Sequence, residues 1–96
     1  MANYDADTMG LQEFDYRERT ASVDWERFMI KFELTMKLRK IDITNADQAV
    51  DAMNRLIVIG GPKVLDVYLG LPDPTRATYA ALKTAVERQF KKQTRE

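Results

Sequence analysis

Residues 22–40, SVDWERFMIKFELTMKLRK, contain no glycine or proline and carry two apolar stripes instead of one. At 100° per residue, Trp25, Phe28, Met29, Phe32 and Met36 fall on one face of a helix. Ile30, Leu34, Leu38 and Ile41 fall on the opposite face, and charged side chains fill the flanks between them. A helix patterned in this way meets something on both sides. One side is the core of the domain; the other is either more core or a surface for a second molecule. The helix is expected to start near Ser22, a good N-cap, with Asp24 and Glu26 in its first turn. It should run to about Lys40, where Lys37, Arg39 and Lys40 suit the negative end of the dipole.

Punctuation divides the rest of the chain into shorter helices. Thr44 followed by Asp47 resembles a capping box, with Asp in place of Glu, and opens a second helix over about 45–59. Ala46, Ala49, Val50, Met53, Leu56 and Ile57 make its apolar face. The run LIVIG at 56–60 also reads as a buried strand, but a lone strand has no partner here, which favours the helix. The following GGPK is not a phosphate-binding loop. Pro62 removes one of the N–H donors such a loop offers, and Val64 stands where a Ser or Thr would hold magnesium. The better reading is a helix break, with Gly60 left-handed and Pro62 at the first position of a third helix over about 62–69. Val64, Leu65, Val67, Tyr68 and Leu71 spread over more than half of that helix, so it should be deeply packed. GLPDP stops it. Thr78 then caps a fourth helix, YAALKTAVERQFKKQ, whose narrow stripe Tyr79, Leu82, Val86 and Phe90 places it on the surface, ending basic at Lys91, Lys92 and Arg95.

The fold class expected is therefore all-α, a small bundle of about four helices preceded by an extended segment that tucks Phe14 onto the domain. Residues 1–10 read as a flexible acidic tail, 11–92 as a single domain, and 93–96 as a C-terminal tail. A chain of 96 residues holds one such domain. No apolar stretch reaches the roughly 18 residues of a membrane span, and residues 1–20 have no signal-peptide character, so an intracellular setting is expected. The absence of cysteine and histidine removes thiolate metal sites and the commonest general base. No hydroxyl has a histidine to activate it, and no carboxylate lies clearly within an apolar face. The chain is thus expected to be neither an enzyme nor the holder of a cofactor or metal. Charge is balanced overall but segregated. Residues 1–26 hold seven acids and two bases, a net −5; residues 27–96 hold thirteen bases and eight acids, a net +5. The acidic end of one copy can meet the basic end of another; solvated surface and an acidic tail account for the segregation equally well.

The order of these features carries more than any one of them. Phe14-Asp15 precedes Trp25, Phe28 and Phe32-Glu33 in a W-x-x-F-x-x-x-F-E helix. An apolar helix ending at Gly60 leads to Val67-Tyr68, and then to Thr78-Tyr79, Leu82, Val86 and Phe90. Over residues 11–90 this set resembles the capsid region of Gag proteins from gypsy-type LTR retrotransposons and their domesticated Arc-like relatives. The resemblance implies a capsid N-terminal domain that assembles side by side with copies of itself into a shell that packages RNA. The core would take Trp25, Phe28, Phe32 and Met36. Part of Ile30, Leu34, Leu38 and Ile41 would form the self-assembly surface. The Arc-like relatives imply an alternative, a domesticated adaptor whose groove of Phe14, Trp25, Phe28 and Tyr68 holds a peptide from a host partner. The chain has no C-x-x-C zinc knuckle and no second capsid domain after Glu96. It is expected to be one excised domain, with RNA left to regions outside it.

Overall fold

The computed structural model describes residues 11–93, and the expected tails at 1–10 and 94–96 lie outside these. The described residues form an all-α bundle with no strand: α1 (Ala21–Leu38), α2 (Ala46–Gly60), α3 (Pro62–Leu69) and α4 (Tyr79–Gln93), with a short 3₁₀ turn at Pro74–Arg76. LIVIG is helical, as the absence of a partner strand favours. Residues 11–17 carry no regular secondary structure and pack onto the bundle through Leu11 and Phe14. Their register is held by the Phe14 N–H, which donates to the Ile59 carbonyl at 2.9 Å, and by the burial of Leu11 and Phe14.

Local chemistry moves several boundaries by one or two residues. Ser22 is not the N-cap of α1. A turn from Arg17 delivers Thr20 to that position, where its hydroxyl donates to Asp24 at 2.5 Å, and the fully buried Ala21 anchors the first turn. At the far end, the Ile41 N–H donates to the Met36 carbonyl and the Lys40 N–H to the Lys37 carbonyl. This is a Schellman termination with Lys40, at φ 60°, in the left-handed position that glycine usually takes. Thr44 does not cap α2, because its hydroxyl donates to Asp42 at 2.6 Å; Asn45 caps instead, accepting from the N–H groups of Asp47 and Gln48. The two glycines after Ile59 have different jobs. Gly60 stays helical, and a Cβ there would come within 2.6 Å of Val64, so it is what lets α3 approach α2. Gly61, not Gly60, takes the left-handed turn, at φ 82°. Thr78 caps α4 as the sequence indicates, accepting from the Ala81 N–H at 3.1 Å.

The packing order corrects two further expectations. α4 is the hub of the bundle: it packs against α1, α2 and α3, and Tyr79, Leu82, Val86 and Phe90 are all buried. Only its outer face is at the surface. α3 is not deeply packed. Val64 alone of its residues is buried, and Leu65 and Leu69 stand exposed. A helix of eight residues has room for little more than two turns, so Val64 beneath Gly60 is enough to seat it.

Candidate self-association surface

α1 places its two stripes in opposite environments. Trp25, Met29, Phe32 and Met36 are buried against α4 and the segment 11–17, with Phe28 half-buried beside them. On the other face, Ile30, Leu34 and Leu38 are 59%, 54% and 83% exposed. Their i, i+4, i+8 spacing makes one continuous ridge of the type that interdigitates with another helix. Val23, seven residues before Ile30 and also exposed, extends the ridge, a position its helical spacing marks in the sequence. Ile41 does not lie on the ridge. The Schellman turn brings it past the helix end, where it is half-buried against the core and forms one wall of a groove.

The groove, about 650 Å³, runs beside the ridge between the end of α1 and the 41–44 loop. Ile30, Leu34, Met36, Ile41 and Ile43 supply its apolar lining. Ile43 had no mark in the sequence pattern, because it sits in a turn with no periodicity to read.

The charges around the groove divide into engaged acids and unpaired bases. Glu33 accepts from the Tyr79 hydroxyl at 2.7 Å and from Lys83 Nζ at 2.8 Å, tying α1 to α4. Burial, and then the Glu33 carboxylate, push the Tyr79 hydroxyl pKa far above its ordinary value. Asp42 accepts the Thr44 hydroxyl and N–H, which hold its carboxyl below the usual carboxylate range. Lys37 and Lys40, on the same rim, form no ion pair among the described residues.

The aromatic quartet is a different case. Phe14, Trp25 and Phe28 do come together, with ring centroids 5.1–5.4 Å apart, and Phe90 joins them. They pack on one another as core: Trp25 is 1% exposed and Phe14 8%. Phe14 belongs to the segment 11–17 itself, which thereby lies against Trp25 and Phe28. No ring contact joins Tyr68 to these three among the described residues; it is half-buried on α3. The Trp25 indole Nε1 is buried without a hydrogen-bond partner.

Among the described residues, no group of acidic, His or Cys side chains is arranged to hold a metal, and no helix is long and apolar enough to cross a membrane. No family model, curated protein or solved structure matches the chain.

Proposed function

We propose that this chain is a structural self-association domain of the kind the Gag capsid resemblance implies, one that contributes shell contacts with copies of itself and has no enzymatic role. The observation that carries the reading is the ridge of Ile30, Leu34 and Leu38, exposed beside an apolar groove on the helix whose other face is the core. Isolated exposed apolar residues are ordinary, but a contiguous ridge with a groove beside it marks an interaction surface. Charge balance supports a copy of the same chain as the partner. With a net charge of zero and an acidic first quarter, the chain has no long-range repulsion from itself.

The adaptor reading has weaker support. A peptide directed at Phe14, Trp25 and Phe28 has to displace residues 11–16, which are already docked by the Phe14–Ile59 backbone hydrogen bond. Concentration-dependent light scattering separates the two readings. Association of the chain alone, rising with concentration and lost in Leu34→Glu, is the expected result. A strict monomer that binds extended peptides with micromolar affinity would contradict it and favour the adaptor.

A further inference from the structure

The self-association reading leaves open which surface of the second copy meets the ridge. Four observations bear on it, three on α1 and one at its groove. The first is the ridge itself, with Ile30 and Leu34 at its centre. The second is a pair of exposed charges, Glu26 and Lys37, that form no ion pair among the described residues. The third is their spacing. Eleven residues of helix turn through about 1,100°, so the two lie within about 20° of one line on the same flank of the ridge, some ~16 Å apart. The fourth is that both acids lining the groove near Lys37 are already engaged, Glu33 by Tyr79 and Lys83 and Asp42 by Thr44. Among the described residues no acid beside the groove is left over for Lys37, and a second copy can supply one.

We infer that α1 pairs with the α1 of a second copy, antiparallel, about a two-fold axis lying between Ile30 and Leu34. The inference rests on the self-association reading and adds the partner surface to it. A two-fold axis lying in the interface, perpendicular to the helices, reverses direction along each helix and keeps each flank on its own side. Ile30 then meets Leu34 of the second copy, and Leu34 meets Ile30, across the axis. On the flank, Glu26 of each copy meets Lys37 of the other, so both unpaired charges are satisfied twice over. The same operation brings Leu38 over the Arg27 stem, and it opposes the two helix dipoles. A parallel pairing lacks this match: a two-fold axis along the helices puts the Glu26–Lys37 flanks of the two copies on opposite sides of the interface, so neither charge meets its complement. The contact covers a single helix face, at the low end of specific interface sizes, below about 1,200 Å². Its dissociation constant should be on the order of 0.1 mM, strengthened where many copies are held together.

The chain has no cysteine, so a single introduced thiol reports geometry without ambiguity. In the antiparallel pair the two copies of residue 34 lie about 6 Å apart along the helix, and the two copies of residue 38 about 18 Å apart. Leu34→Cys treated with a short bis-maleimide (span about 8 Å) should give covalent dimer, and Leu38→Cys should not. In sedimentation equilibrium, Glu26→Lys and Lys37→Glu should each weaken wild-type association roughly three- to tenfold. The double variant, and an equimolar mixture of the two single variants, should recover it. If the wild type associates but Leu34→Cys does not cross-link, or Leu38→Cys links equally well, or the double variant stays weak, the antiparallel pairing is wrong while self-association stands. A wild type that remains monomeric at millimolar concentration removes the self-association reading and the pairing together.

Discussion

The two faces of α1 are both apolar and end in opposite places. Trp25, Met29, Phe32 and Met36 have almost no exposed surface, whereas Ile30, Leu34 and Leu38 keep more than half of theirs. Volume and available partners decide the difference. Trp and Phe bring ring surface that only a packed interior can satisfy, and Phe14 and Phe90 stack on each other while each meets Trp25 edge-on. α1 has its main packing with one helix, α4, whose stripe of Tyr79, Leu82, Val86 and Phe90 is just wide enough to cover a single face. Among the described residues, no element covers the other face. An apolar stripe in a sequence therefore specifies burial, but the number of remaining elements decides whether that burial is within the molecule or against another one.

The contrast between the faces is sharpest in the cost of substitution. Phe32→Ala removes a fully buried ring and should cost about 3–5 kcal/mol. A domain of this size has on the order of 5–10 kcal/mol in total. Urea denaturation should show the midpoint falling by half or more, and an unchanged midpoint would mean that the inner face is not the core.

The next effect tests the tie that holds the inner face onto α4. Glu33→Gln weakens a charge-assisted bond to Tyr79 and removes the ion pair with Lys83, and should cost about 1–2 kcal/mol. Tyr79 gives this tie a pH signature. Its folded-state pKa is raised, by burial first and by Glu33 second, so its contribution is fully present below the ordinary tyrosine pKa near 10 and is lost as pH rises above it. Stability measured from pH 9 to 12 should fall more steeply in the wild type than in Tyr79→Phe. Parallel curves would show that the hydroxyl is not held as described.

A smaller effect of opposite sign is expected where α1 ends. Lys40 occupies a left-handed conformation at φ 60° without need of its side chain, so Lys40→Gly should stabilise the monomer by about 0.5–1 kcal/mol. Thermal denaturation reads this as a melting temperature raised by a few degrees. A lowered one would mean that the Lys40 side chain on the groove rim contributes more than its left-handed backbone costs.

The helices and their order were legible because Gly-Gly-Pro, Pro-Asp-Pro and the capping threonine at 78 are local signals, and the double stripe of α1 was legible because 3.6-residue periodicity is local too. What escaped was set by tertiary context. The width of the apolar face on α3 suggested depth, yet a short helix held by Val64 alone leaves Leu65 and Leu69 outside. The narrow stripe on α4 suggested the periphery, yet a narrow stripe is what a helix shows when three neighbours share one side of it and solvent takes the other. The cap of α2 slipped by one residue where Asp42 competes for the hydroxyl of Thr44. In the candidate surface, Ile30, Leu34 and Leu38 were readable from spacing. The groove was not, because it depends on a left-handed lysine that turns Ile41 and Ile43 back beside the helix.

The smallest expected effect on the fold is also the most direct test of the whole account. Leu34→Glu changes a side chain that is 54% exposed, so the urea midpoint should move by no more than about 0.5 kcal/mol in equivalent stability. Sedimentation equilibrium on the same samples should show concentration-dependent association in the wild type and a monomer in the variant. Loss of the folded state in Leu34→Glu, or equal association of both chains, would contradict the claim that α1 keeps one face for its own core and the other for a second copy.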